Sequence, residues 1–426
     1  MLLACAVGAV FSSGPGYLLQ VALAGRATDF TRDYVAAHWL TAGKPLSQLD
    51  GAAGNADAAR LGADPVLVPC GPFHLHPPPA SLLVLPLVPL GFRAAALAWL
   101  LLSLAALAVL ARVLASVWSV PGAAPSPRRS IAALLIVTAW PPTVMNLAYG
   151  QWSILLAALV AVGWWGIERG RGRLATASFV AAIGFKTTPA VMLGFLVLRR
   201  RALLVRVLGA LAFIVAASWP LVGGWDAWRT FVRDGRSCVL CWEAYVDNTV
   251  SINGLYARLL VGGPYVRAPF DAPALAHLLA PATACALIAL AAVLTWRHAR
   301  ARPAAGPAGA TAAGPLPADA LDFAMWAALV ALLNPLSWTH NAVFLLLPIV
   351  LVVRHGRRAR VRTVVAAAFV ALCIPRETLF AWAGPLPFAP ARAWVLGLHA
   401  VAGLTVFGCA AWEGLGAAPA TGTRPR

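Results

Sequence analysis

The run "ALAWLLLSLAALAVLA", Ala96 to Ala111, contains no charged residue. A second run, "VLGALAFIVAA" from Val207 to Ala217, reads the same way. Crossing a bilayer takes about 20 predominantly apolar residues, and runs of this kind recur along the whole chain. Of its 426 residues, 61% are hydrophobic and 11% charged, with a mean hydropathy of +0.78. Soluble domains carry roughly 25% charged residues. Backbone amides in lipid must be satisfied within the segment, which makes the helix the natural spanning element. The composition therefore predicts an all-α polytopic membrane protein.

The net charge of +18 would suit a nucleic-acid partner if it lay on one face. Instead the arginines cluster in short links between apolar runs: Arg128 and Arg129; Arg169, Arg171 and Arg173; Arg199 to Arg201; Arg297, Arg300 and Arg302; Arg354 to Arg362. Short basic links mark the cytoplasmic side of a membrane protein. Their partners are anionic lipid headgroups, and nucleic acid is excluded. The opening "MLLACAVGAV" has an apolar character but no basic residues before it, and Cys5 stands too early for a lipoprotein leader. It reads as an uncleaved first crossing. Cys238 and Cys241 form a CxxC in a polar loop, suited to a disulfide or to half a metal site. With no second CxxC, a structural zinc site is not expected.

Starting inside, the crossings fall at roughly 2–24, one within 79–118, then 130–148, 151–167, 174–187, 188–199, 202–223, 276–296, 321–336, 339–353, 363–382 and 391–412. That gives about twelve helices in a single membrane domain. The first extracytoplasmic loop spans 28–78 and the second 224–275; 298–320 is a cytoplasmic linker and 414–426 a cytoplasmic tail. With this threading, "TDFTRDY", "HLHPPP", "NLAYGQW", "FKTTP", "DNTVSING", "NPLSWTHN" and "PRET" all collect on the outer side. Polar groups at membrane depth are costly and tend to be functional, and one outward-facing polar cavity accounts for them together. The alternative for each is a cap or turn residue.

The stretch "TDFTRDYVAAHWLTAGKPL", Thr28 to Leu46, reads as an interfacial helix. Phe30, Tyr34, Ala37 and Leu40 follow helical spacing, Thr28 or Asp29 is placed to cap the start, and Gly43 and Pro45 stop it. Asp29 then stands at the cavity mouth as a carboxylate able to take a proton from a hydroxyl. Asp33 follows one turn later, with Arg32 as its expected partner.

These residues resemble glycosyltransferase family 87, the polyprenol-phosphate-mannose-dependent members of the GT-C superfamily. Asp29-Phe30 with Tyr34 and the following "GKPL" is similar to that family's D-F-x-x-x-Y and G-x-P-L segments. "HPPPASLLVLPL" resembles its Y-P-P segment, "YGQWSILLAAL" its G-Q helix start, "FKTTPAVML" its K-x-x-P helix, and "NPLSWTHNAVFLLLP" its S-W-x-H-H segment. The chain departs from the pattern in three places. His76 stands where Tyr is usual, Asn341 replaces the second His, and "DNTVSING" stands where N-Q-S is common.

The resemblance implies a GT-C-like bundle whose extracytoplasmic loops carry interfacial helices. It implies transfer of a hexose, mannose by family habit, from a polyprenyl-phosphate sugar to a hydroxyl of a glycolipid or glycan. The site would face the outside or periplasm from the plasma membrane. Asp29 would be the base; an inverting displacement needs one such carboxylate. Lys186, one of two lysines in the chain, is the first candidate for the donor phosphate, with His340, Arg258 and Arg376 beside it. Asp33, Tyr34, His76, Tyr149, Gln151, Asn248, Asn253, Trp338 and Asn341 are candidates for the sugar or acceptor. A monophosphate leaving group needs little neutralisation, so no metal cofactor is expected, although Asp29 and Asp33 offer oxygens suited to Mg2+. The rival class is a transporter or flippase of a lipid-linked sugar, which would favour matching inverted halves; none is visible. A third, a non-catalytic assembly partner, would make Asp29 dispensable.

Topology is directly testable. Reporter fusions after Gly51 and Asp234 are expected to report outside, and those after Gly306 and Gly356 inside. An inside signal at Gly51 would overturn the outward-facing cavity.

Overall fold

The computed structural model describes residues 27–66, 73–119, 125–240, 250–262, 267–301, 317–384, 386 and 389–416. The expected first crossing at 2–24, most of the 298–320 linker, and the pair Cys238 and Cys241 as side chains lie outside this description. Among the described residues the chain is built of helices and short 3-10 turns.

Among the described residues, four helices are long and apolar enough to span a membrane: Phe92–Val117, Arg201–Ser218, Pro273–Arg300 and Leu398–Gly416. The pair Pro127–Thr138 and Pro141–Tyr149, bent by 69°, makes a fifth if counted as one span. The remaining stretches read as crossings are shorter helices, including Ser153–Glu168, Gly172–Phe185, Thr188–Arg199 and Thr339–His355. The count of about twelve read from hydropathy thus resolves into spanning helices and helices that stop short. The chain breaks where proline follows a polar or aromatic residue. Trp140 is extended (φ −74°, ψ 126°) ahead of Pro141 and Pro142, since the residue before proline avoids the helical region.

The short helices form tight hairpins. Glycines 163 and 166 of Ser153–Glu168 lie against Phe179 and Ala175 of Gly172–Phe185, a crossed pairing that makes the two helices antiparallel. Successive helices therefore return to the same two ends. One end carries the basic links, the other the polar reversals. At the basic end, Pro317–Leu332, buried along nearly its whole length, begins with Asp319 and Asp322, both fully buried. Arg199 and Arg200 pair with Asp319, and His298 Nδ1 donates to Asp322 Oδ1 at 2.7 Å. Buried charges persist when they are paired in this way. Glu413 accepts from the backbone N–H groups of Arg357 and Arg358, both at 3.0 Å, and so satisfies free donors at the start of Ala359–Leu372.

Lipid-facing character shows on the outside of the spans. Phe213 is 72% exposed, Val205 69% and Leu278 63%, a cost in water that hydrocarbon removes.

Candidate active site

The helix Thr28–Thr41 forms as its spacing predicts. Phe30, Tyr34 and Ala37 are buried, and the helix is followed by Gly43 at φ +68°, with Gly43 and Lys44 donating back to Leu40 and Trp39. Its start differs from expectation. The N-cap is Ala27 with no side-chain cap bond, so neither Thr28 nor Asp29 caps it. Asp33, Val35 and Ala36 are buried as well. The helix is therefore covered on more than one side, where a surface-lying helix would bury only its apolar face.

Freed from capping, Asp29 points to the next reversal: Gln151 Nε2 donates to Asp29 Oδ2. Arg32, expected beside Asp33, instead lies 3.8 Å from Asp29 Oδ1. Gln151 is delivered by a backbone device. Pro141–Tyr149 ends at Gly150, which adopts the left-handed conformation (φ +66°, ψ 36°), and Gln151 N donates to Asn146 O at 3.0 Å. The Gly150 carbonyl accepts from Trp99 Nε1 at 2.8 Å, and Trp99 stacks on Phe30 at 5.2 Å. The opening helix, the long Phe92–Val117 helix and the Gly-Gln turn are thereby clamped together.

Asp33 is fully buried. Its Oδ1 accepts from His76 Nδ1 at 2.6 Å, with His74 Nε2 at 3.3 Å, and its Oδ2 accepts from Trp152 Nε1 at 2.6 Å. Burial alone would push the Asp33 carboxyl up. The charge of His76 and the hydrogen bonds of His74 and His76 hold it well below the usual carboxylate range. Burial pushes the His76 ring down, with Asp33 opposing. With its oxygens thus engaged, Asp33 is part of the wall of the site. Asp29 and Asp33, weighed above as a Mg2+ pair, turn their oxygens to different partners. Among the described residues, Asp33, His74 and His76 offer converging metal-ligand atoms, all within 4.8 Å of one another.

Lys186 is half-buried and sits just past Gly172–Phe185, on extended backbone (φ −154°, ψ 133°). The sequence places it inside an apolar helix; the structure places it at the break before Pro189. A cation there also complements the helix C-terminus. Its charge is felt by Asp29 and Asp33 and by His340. His340 is buried, 6.4 Å from the Tyr149 ring and 6.0 Å from Trp338, centroid to centroid. Asn341 Oδ1 accepts from Ser153 Oγ at 2.7 Å, and Asn341 Nδ2 donates to Leu336 O at 3.3 Å, so Asn341 holds two reversals together. Tyr34 donates to Val88 O at 3.0 Å and meets Phe92 edge-on at 5.3 Å, a role in packing.

Arg258 is fully buried on Ile252–Leu260, where its charge acts on His399. Asn253 lies half-buried in the first turn of that helix. Asn248 and the side chain of Arg376 fall outside the described residues. Three residues not singled out from sequence belong to the cluster. His74 and Trp152 hold Asp33; the H-x-H spacing was the available signal for the first. Asn146 is fully buried in the helix that packs on the Thr339–Leu345 turn. Its amide N and O, Trp338 Nε1 and His340 Nδ1 make no hydrogen bond among the described residues. Buried polar atoms are normally paired, so these are ready to meet a polar ligand.

Comparison with known proteins adds to this geometry. The sequence model of Glycosyltransferase family 87 matches residues 73–314. The chain is 30% identical over 367 residues to the polyprenol-phosphate-mannose-dependent alpha-(1-2)-phosphatidylinositol mannoside mannosyltransferase of Mycobacterium tuberculosis, covering 78% of this chain and 76% of that protein. No solved structure matches it.

The Gly150 turn makes a sharp prediction. A Cβ there would stand 2.7 Å from Phe30 Cβ, and the left-handed backbone costs a non-glycine residue about 1–2 kcal/mol. Gly150→Ala is expected to lower the thermal midpoint of the purified protein in detergent by several degrees. Gly170→Ala, also at positive φ but with nothing within 4 Å, should cost only the backbone part.

Proposed function

Because the chain belongs to glycosyltransferase family 87 and its apolar helices make it a membrane protein, we propose that it moves mannose from a polyprenyl-phosphate sugar to a hydroxyl of a glycolipid or glycan. The reaction takes place on the extracytoplasmic face of the plasma membrane, with inversion, and Asp29 is the base. The observation that carries this reading is the setting of Asp29: it caps nothing, is oriented by Gln151, and shares its surroundings with Lys186. The relative's name states a polyprenol-phosphate-mannose donor and a phosphatidylinositol mannoside acceptor, which supports a lipid-linked donor and a glycolipid acceptor here.

In this mechanism the acceptor hydroxyl enters beside Asp29, which takes its proton as the oxygen attacks the anomeric carbon. The bond from that carbon to the phosphate oxygen breaks, and the polyprenyl phosphate leaves with its electron pair. Lys186 balances the departing charge, with His340 as a further donor. Asn146, Gln151 and Trp338 offer hydrogen bonds to sugar hydroxyls, and Tyr149 a surface for the ring or prenyl chain. The leaving monophosphate requires no metal of its own.

Two variants test this. Asp29→Asn keeps the acceptor atom for Gln151 and removes the basic carboxylate. It is expected to fold, bind donor, and lose transfer by about 10²–10⁴-fold, measured with radiolabelled polyprenyl-phosphate mannose in membranes. Near-normal turnover would leave the site without this base. Lys186→Ala is expected to fold in detergent and bind donor about ten- to a hundredfold more weakly, the scale of a charged hydrogen bond lost from a sheltered site. Unchanged donor affinity would make the lysine structural.

A further inference from the structure

We propose that Asp33, His74 and His76 bind a single divalent transition-metal ion, with Zn2+ the best fit, that fastens the first extracytoplasmic loop to the opening helix. The three side chains each present one ligand atom, and all three atoms lie within 4.8 Å of one another. Two imidazole nitrogens, His76 Nδ1 at 2.6 Å and His74 Nε2 at 3.3 Å, converge on one and the same carboxylate oxygen. Their rings meet edge-to-face with centroids 5.7 Å apart. A cation held between the three atoms uses all of them, since ligands about 2.0–2.1 Å from Zn2+ in a tetrahedron stand about 3.4 Å apart.

The surroundings fit a metal site. Asp33 Oδ2 accepts from Trp152 Nε1 at 2.6 Å, the kind of outer hydrogen bond that orients a ligating carboxylate. Asp33 is fully covered, while the side chains of His74 and His76 keep 8% and 12% exposure, so a cation could reach the site past the two rings. Two imidazoles and one carboxylate suit Zn2+ and its neighbours, whereas Mg2+ and Ca2+ prefer oxygen alone. The metal would bridge two segments separated by 43 residues along the chain and fix the wall one helical turn from Asp29. It takes no part in the leaving of the phosphate.

The test uses the full-length protein, purified in detergent with a tag free of histidine, stripped with a chelator and dialysed. Addition of Zn2+ is expected to restore about one ion per chain by elemental analysis and to raise the melting temperature, as a ligand specific to the folded state must. Mg2+ at the same concentration should do neither. X-ray absorption of the zinc-loaded protein should show two imidazoles in the coordination sphere. The His74→Gln/His76→Gln double variant should lose the ion, with affinity down at least about tenfold. Zinc binding that persists in the folded double variant, or a wild-type chain that takes up no stoichiometric zinc, would overturn the proposal. If the double variant does not fold, the wild-type absorption spectrum decides alone: fewer than two imidazoles sinks the site. None of these readouts measures sugar transfer, so their failure leaves the role of Asp29 untouched.

Discussion

The candidate site depends on a carboxylate that water cannot reach. Asp33 is fully buried, and a buried charge without partners would cost several kcal/mol. Its partners come from places far apart in the chain: His74 and His76 at the end of the first loop, and Trp152 at the head of a helix hairpin. Satisfying one residue therefore fixes three segments. Trp152 is followed by Ser153, whose hydroxyl reaches Asn341, and preceded by Gln151, which reaches Asp29. The same short turn thus ties the opening helix to the Thr339–Leu345 turn.

The outer end of the bundle is assembled from helix breaks. Gly150, Lys186 and the segment from Asn334 to Asn341 each interrupt an apolar run. In lipid an interrupted helix is costly, because backbone groups are left without partners. Here the breaks meet one another and side chains fill the gaps: Trp99 takes the Gly150 carbonyl, and Val250 N donates to Ser337 O at 3.2 Å. Breaking the helices leaves a set of polar side chains, among them Asp29, Gln151 and Asn341, gathered at one end of the bundle. At the opposite end the chain uses the reverse solution. Arg199, Arg200, Asp319, Asp322 and His298 neutralise each other inside the protein, and this lets Pro317–Leu332 run through the centre of the fold.

Several parts of the site were legible before any coordinates. Asp29 and Asp33 stand beside Phe30 and Tyr34 just past the first apolar run, Lys186 is nearly the chain's only lysine, and the Gly-Gln and Ser-Trp-x-His segments fall at polar reversals. Other parts were not. The resemblance makes Tyr34 a candidate for the sugar or acceptor; its hydroxyl donates to Val88 O, a partner 54 residues away that no local pattern announces. Asn341 reads as a sugar contact, yet both ends of its amide bond to protein. A hydrogen bond between residues 188 apart leaves no local trace in the sequence. An asparagine before a turn, such as Asn146, looks like a turn residue in sequence; its burial on both amide atoms is a tertiary fact.

The sequence by itself determined that the chain is helical and membrane-bound, and where several of its apolar runs are broken. Hydropathy, proline and charge placement act locally, so they can be read residue by residue. Only the tertiary structure decided which partners each carboxylate meets: Gln151 and Arg32 for the partly exposed Asp29, and His74, His76 and Trp152 for the buried Asp33. Asp29 and Asp33 are one turn apart with similar neighbours, and nothing local separates them. The difference arises because Ala27 leaves the helix start uncapped, the Gly150 turn brings Gln151 to Asp29, and the first loop folds back to bury Asp33 under His74, His76 and Trp152. Those partners are set by long-range closure of the chain, and the role of each carboxylate follows from the partners it meets there.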